Sequence, residues 1–250
     1  LMTNNMFFIA NWKMFGDLRA LNSTKKVIKI SKKHKFKKIQ IIYCPPYTLI
    51  NQFVKNTKNS KIKVGAQNCH YLDGDGPYTG KINSNLLKSI GAKYVIIGHS
   101  ENRAEGDTNY IINKKIKSAL KKKLKIIFCF GETLSEKRNK KTSSVLRSQL
   151  TKCLKGINSN NNIIFAYEPV WSIGTGIIPR IDQLEQKIIY IKKLIKKNLK
   201  FKSSIILYGG SVNPKNINEL KKITTINGFL VGGSSQNAKN FIDIIKKTIN

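Results

Sequence analysis

The chain has 250 residues, a hydrophobic fraction of 40% and a mean hydropathy of −0.29, enough apolar material for a core in a protein that lives in water. No run approaches the roughly 18 apolar residues of a membrane span. Leu1–Ala10 has neither the basic start nor the small-residue cleavage site of a secretory signal, and four scattered cysteines (Cys44, Cys69, Cys129, Cys153) match neither a zinc nor a disulfide framework, so no metal and a reducing, cytoplasmic setting are expected.

Charge is the unusual feature: 46 Lys and Arg against 13 Asp and Glu, a formal +33. Such a balance suits nucleic acid or an anionic membrane. Only Arg19, Arg103, Arg138, Arg147 and Arg180 are arginines, however, and the lysines are dispersed along helix-period segments such as Lys192-Lys193 and Lys196-Lys197. With Asn and Ile also abundant, compositional drift is preferred over a dedicated nucleic-acid surface, and no membrane partner is expected.

In chain order, short apolar runs recur at Met6–Asn11, Ile39–Cys44, Ile62–Gln67, Tyr94–Gly98, Ile126–Phe130, Ile163–Tyr167, Ile205–Tyr208 and Gly228–Val231. Near-continuous apolar runs of this length fit parallel strands buried on both faces. Helical periodicity is clearest over Leu18–Lys33, Thr108–Lys122, Val145–Leu154, Ile181–Lys197 and Ala238–Ile249, and Pro46 and Pro214 stand where a helix can start. Eight strands alternating with about eight helices, without a linker, predict one α/β domain over residues 1–250. An open doubly wound sheet is the alternative; regular repetition favours a closed (β/α)8 barrel.

In such a barrel chemistry gathers in the loops that follow the strands. Asn11-Trp12-Lys13 follows the first run and Gly98-His99-Ser100-Glu101 ends the fourth. Glu168-Pro169-Val170-Trp171 and Ser172-Ile173-Gly174-Thr175-Gly176 follow the sixth, Gly209-Gly210-Ser211 the seventh, and Gly232-Gly233-Ser234 the eighth. An amide, an amine, an imidazole and a carboxylate thus share a rim with three Gly-rich turns, a proton-transfer site beside an anion site. Each piece alone has a plainer reading: a Gly-Gly pair is a tight turn, an isolated Glu a cap or ion-pair partner, Trp171 either core or the anchor of a moving loop. Gly174-Thr175-Gly176 lacks the Gly-Lys-Ser/Thr of a nucleotide-binding loop. Cys129 reads as a small buried residue, and His34 and His70 receive no role.

Eight segments in order, Asn11-Trp12-Lys13-Met14, Gly65-Ala66-Gln67-Asn68, Gly98-His99-Ser100-Glu101, Gly131-Glu132-Thr133-Leu134, Ala166–Trp171, Ile173–Gly176, Tyr208–Val212 and Leu230–Gly233, resemble the signature segments of the triosephosphate isomerases. The resemblance spans nearly the whole chain. It implies a TIM barrel that interconverts dihydroxyacetone phosphate and D-glyceraldehyde 3-phosphate through an enediolate, in glycolysis and gluconeogenesis, without a cofactor. Glu168 would be the base. His99 would act as a neutral imidazole, the division of labour for which this family is itself the standard example. Lys13 would supply positive charge, Asn11 would hold substrate oxygens and Glu101 would support Lys13. Gly174, Ser211, Gly232 and Gly233 would bind phosphate through backbone N–H groups.

The resemblance further implies a lid at Pro169–Gly176, stiffened by Pro169 and Pro179, and a homodimer in which His70–Thr79 docks into the partner with Thr79 near its active site. Asn102 replaces one of two arginines common in the family, the loop beyond looks a residue short, Lys81 replaces a common acidic residue and Gln236 an apolar one. These departures put dimer affinity in doubt but touch no residue assigned to chemistry. Other phosphate-binding barrels, such as the indole and ribulose-phosphate enzymes, lack the paired His-Ser-Glu and Glu-Pro-Val-Trp segments. The intact Lys13, His99 and Glu168 argue against an inactive relative.

Overall fold

A computed structural model describes residues 6–33, 36–158, 162–199, 201 and 204–249; His34 lies outside them. Eight strands form a closed barrel in chain order: β1 (Met6–Asn11), β2 (Ile39–Cys44), β3 (Lys63–Ala66), β4 (Tyr94–Ile97), β5 (Lys125–Phe130), β6 (Ile163–Tyr167), β7 (Ile205–Tyr208) and β8 (Gly228–Val231). Every neighbouring pair is parallel, and β8 closes on β1 through Phe8 opposite Phe229. The expectation of closure over an open sheet is thus met. Strand ends shift by at most a residue or so: Ile62, Gln67 and Gly98 fall outside the ladder, and Lys125 joins it.

Around the barrel run α1 (Leu21–Ser31), α2 (Ile50–Thr57), α3 (Ser84–Ser89), α4 (Ser100–Ala104), α5 (Asn109–Lys121), α6 (Leu134–Arg138), α7 (Thr142–Cys153), α8 (Ile181–Asn198), α9 (Ile217–Leu220) and α10 (Ala238–Ile249). Leu18–Ala20, read from periodicity as helix, is a 3-10 turn that leads into α1 and is started by the Asp17 carboxylate accepting from Arg19 and Ala20 N–H. Pro46 precedes a similar turn into α2. Before α6, Thr133 and Glu136 close a reciprocal cap: Glu136 N–H donates to Thr133 Oγ1 (3.2 Å) and Thr133 N–H to Glu136 Oε2 (2.7 Å). A cap of this kind stabilises a helix start by about 1 kcal/mol.

Strand side chains alternate between two cores. Phe7, Ile9, Ile42, Ile96, Ile127 and Leu207 fill the barrel interior, while Phe8, Val95, Phe128, Phe165 and Phe229 pack against the helices. Burial on both faces is why these segments read as unbroken apolar runs. Polar ties join the layers at the rim: Lys115, buried in α5, holds Asp107 at 2.6 Å and donates to Asn68 Oδ1 at 3.0 Å, pinning the loop after β3. Among the described residues no helix is long and apolar enough to cross a membrane.

Candidate active site

Because all strands run the same way, their C-terminal ends deliver the eight following loops to one rim. Here Asn11, Lys13, His99 and Glu168 line a single cavity of about 470 Å³ together with Gly174, Ser211, Gly232 and Gly233. Of the residues given a catalytic or phosphate-binding role from sequence, Glu101 is the one outside its wall; it reaches the site through Lys13, whose Nζ lies 2.5 Å from Glu101 Oε1.

Lys13 follows β1 in the left-handed region, φ 56°. A non-glycine residue there is strained and persists only when its neighbours hold it. Several do. Lys13 N–H donates to Asn11 Oδ1 (3.1 Å), and the Gln67 amide donates to Lys13 O (2.8 Å) and Cys44 O (2.9 Å). Trp12 Nε1–H donates to Ser235 O (3.1 Å), and the Gln236 amide to Trp12 O (3.1 Å). Gln236, which departs from the apolar residue usual in the family, therefore serves as a tie between the first and last loops.

His99 stands at the start of α4, where helix N–H groups lack internal partners. Glu101 N–H donates to His99 Nδ1 (3.2 Å). A ring nitrogen that accepts carries no proton, so the imidazole proton is on Nε2, the nitrogen facing the cavity. Gly98 makes this turn possible: its φ is +83°, and a Cβ there would lie 2.7 Å from Cys129 O. Arg103, noted from sequence only as the retained member of an arginine pair, clamps the same loop. It donates to Gly98 O (2.8 Å) and Asn109 Oδ1 (2.8 Å).

Glu168 is 1% exposed, its Oε1 lies 3.4 Å from His99 Nε2, and that oxygen accepts no hydrogen bond. Burial pushes the carboxyl above its ordinary pKa; His99, the Cys129 thiol, the Ser100 N–H and Lys13 pull the other way without reversing it. The backbone here is packed to contact, for a Cβ at Gly131 would fall 1.7 Å from Glu168 O. Cys129 is buried, and burial raises its thiol well above the usual value, so it is no activated nucleophile.

The segment from Pro169 to Gly176 covers one side of the cavity. Trp171 is an anchor: its Nε1–H donates to Glu132 Oε1 (3.0 Å), the Tyr167 hydroxyl donates to Glu132 Oε2 (3.0 Å), and Lys137 Nζ lies 3.3 Å from the centre of the indole. In the sequence Glu132 is legible only as part of a segment, because its partners come from β6 and the lid. Ser172 is fully buried; its hydroxyl donates to Ile177 O (2.6 Å) and meets the Tyr208 hydroxyl at 2.9 Å, while Ser211 N–H donates back to it (3.2 Å). Thr79 lies apart from this cavity, exposed in the loop after β3. His70 stacks on Tyr71 with ring centres 4.4 Å apart, and burial with Lys81 and Lys115 lowers its pKa.

Comparison with known proteins agrees with this geometry. A family model described as triosephosphate isomerase matches residues 6–248. A triosephosphate isomerase of Thermodesulfovibrio yellowstonii is 41% identical over 246 residues, covering 96% of this chain and 98% of its own length. That of Dictyoglomus thermophilum is 41% identical over 244 residues, covering 95% and 97%. The crystal structure of the Bartonella henselae triosephosphate isomerase superposes with a TM-score of 0.88 at 34% identity, over 97% of this chain and 98% of that one. The chain belongs to the triosephosphate isomerase family, the isomerases that interconvert dihydroxyacetone phosphate and D-glyceraldehyde 3-phosphate.

Proposed function

We propose that Glu168, His99, Lys13 and Asn11 carry this interconversion in a single barrel domain. The observation that supports it most is Glu168: a fully buried carboxylate with one oxygen left without a hydrogen bond, beside a histidine whose proton faces the same cavity. Leaving a buried charged oxygen unpartnered costs free energy that a merely structural carboxylate has no reason to carry.

Glu168 removes a proton from the carbon next to the substrate carbonyl, and His99 Nε2–H polarises the carbonyl oxygen, so the electron pair of the C–H bond becomes the carbon–carbon double bond of an enediolate. The same proton returns from Glu168 to the neighbouring carbon, and His99 moves a proton between the two oxygens. Atoms and oxidation state balance within one molecule, so proton transfers suffice. Lys13, with Asn11, offsets the charge that develops on the oxygens, and fixed charges in a cavity that excludes water do this well. Glu101 keeps the Lys13 amine in place. At the other end, N–H groups of Gly174, Ser211, Gly232 and Gly233 hold the phosphate, and the lid shields the enediolate from water. A coupled assay of both directions tests the reading: loss of turnover in a folded Glu168→Gln protein is expected, and wild-type turnover would refute it.

The working form is a homodimer. Met14 is 99% exposed and Phe15 55%, directly beyond Lys13, and Tyr78 projects next to Thr79. Apolar side chains adjoining a catalytic lysine favour cover by a second copy, with Thr79 approaching its cavity. Four buried free cysteines fit a reducing cytoplasm.

A further inference from the structure

Lysine is abundant on every side of this protein, but its counter-charges are not. The 13 carboxylates lie in strand-to-helix segments or in the first two turns of the helices that follow, and the segments leading from helix ends into the next strand contain none. Between Arg19 and Leu72 there is no Asp or Glu at all. Asp73 reaches the far end of α5, where it pairs with Lys121 at 2.8 Å, Glu185 accepts from Thr224 Oγ1 (3.2 Å) in the segment before β8, and Asp243 pairs with Lys247 at 2.9 Å near the end of α10.

The consequence is sharpest at the starts of four adjacent strands, β2 to β5, on the face opposite the active site. Lys38, Lys61, Lys63, Lys93, Lys123 and Lys125 are exposed there, and none forms an ion pair among the described residues. The backbones are neighbours in one ladder: Lys93 N–H donates to Val64 O (2.8 Å) and Lys125 N–H to Lys93 O (2.9 Å). Within this patch a cavity of about 150 Å³ opens between α2 and the starts of β3 and β4, lined by Lys58, Lys63, Lys93 and Ser60 over Val54 and Val64. The Ser60 hydroxyl donates to Thr57 O (2.8 Å) and accepts from Ile62 N–H (3.2 Å), which fixes the short turn carrying Lys58, Lys61 and Lys63.

We propose that this cavity is a second phosphoryl-binding site, separate from the catalytic one. Three lysines and no carboxylate line this concavity, so an anion seated there meets positive charge that no neighbouring acid offsets. Lysine binds phosphate as a point charge without the forked geometry of arginine, which suits a site without base or ring recognition. The volume accommodates a phosphoryl group and little more. Three positive charges select a dianion over a carboxylate. A free phosphate monoester and the phosphomonoester headgroup of an anionic lipid both present that chemistry. Either would leave the substrate cavity, on the opposite rim, open to solvent.

The test compares three folded proteins: wild type, the triple variant Lys58→Met, Lys63→Met, Lys93→Met, and a control with the same charge removed near helix starts, Lys25→Met, Lys141→Met, Lys239→Met. Tm is read in inorganic phosphate and in chloride at equal ionic strength. Phosphate also binds the catalytic cavity, but equally in all three, so the difference between proteins reports the new site. Wild type and control should gain the same Tm increment from phosphate, and the triple variant a smaller one, with kcat, KM and inhibition by phosphate unchanged. Lys93→Met alone should shift the increment in the same direction by less, which guards against a triple variant that folds poorly. Vesicles of phosphatidylcholine with and without phosphatidic acid, whose phosphomonoester can reach the dianion, then separate the sources. Sedimentation with the anionic vesicles that the triple variant loses and the control keeps assigns the site to a lipid headgroup. A phosphate effect without vesicle binding assigns it to a soluble ester. Equal Tm increments in all three proteins would overturn the site.

Discussion

The Ser172 hydroxyl lies 3.2 Å from the Ser211 amide nitrogen, so in this state the lid's own side chain accepts the very N–H that the proposed phosphate cradle uses. It also meets the Tyr208 hydroxyl at 2.9 Å and closes the lid's base through Ile177 O. Substrate must therefore take Ser211 N–H from Ser172. The Ser172→Ala protein should bind substrate more tightly, lowering KM by roughly two- to tenfold, the equivalent of one neutral hydrogen bond. It should also lose about 1 kcal/mol of stability, since Ile177 O and Tyr208 lose a buried partner. Steady-state kinetics with denaturant unfolding checks both; an unchanged KM would mean that the Ser211 amide does not contact phosphate.

For Glu168→Gln, activity and stability should move in opposite directions. Removing the base should lower kcat by about 10²–10⁴-fold or more. Stability at neutral pH should hold or rise, because an amide is cheaper to bury than a carboxylate with an unpartnered oxygen. The pH dependence follows from the raised pKa. Between the ordinary glutamate value, about 4.3, and the higher folded value, the native state binds more protons than the unfolded chain, so this group's contribution to stability falls as pH rises through that window and is constant above it. Wild type should thus lose stability relative to Glu168→Gln across that range. The acid limb of kcat/KM should lie above the usual carboxylate range; a limb at or below about 4.3 would contradict a base raised by burial.

Lys13 offers a second separation of function from stability. Its φ of 56° is a conformation that glycine adopts at no steric cost, and its ion pair with Glu101 is half exposed and contributes little. Lys13→Gly should therefore unfold no more easily than wild type, with a gain of up to about 1 kcal/mol, while kcat and KM both deteriorate. A variant that loses stability by more than that would show that the amine, rather than the ties from Gln67 and Gln236, holds the first loop.

Dilution tests the dimer. With Met14 almost fully exposed in the single chain and Thr79 remote from its own cavity, specific activity should fall as the protein dissociates, in step with mass measured by light scattering or analytical ultracentrifugation. Full specific activity in a proven monomer would refute the role of the partner.

The amino-acid order alone determined the eight strands, the alternation with helices and the chemical groups at each strand end. Those properties are local. A segment such as Ile163–Tyr167, buried on both faces, must be apolar at every position, and a loop that brings backbone N–H groups to an anion must be rich in glycine. What only the tertiary structure decided are relationships between groups distant in the chain. Glu132 is ordinary until Tyr167 and Trp171 arrive at its two oxygens, and Arg103 is a stray cation until Gly98 and Asn109 surround it. Gln67 looks like the last residue of a strand, yet it leaves the ladder and spends its amide on Lys13 O and Cys44 O. Lys58, Lys63 and Lys93 read as dispersed charge along the sequence, and barrel closure sets them along one cavity with no ion-pair partner among the described residues. Burial and pairing depend on three-dimensional neighbours, which no periodicity encodes; the raised pKa of Glu168 and the strained turn at Lys13 exist only because the rim is assembled from loops more than a hundred residues apart.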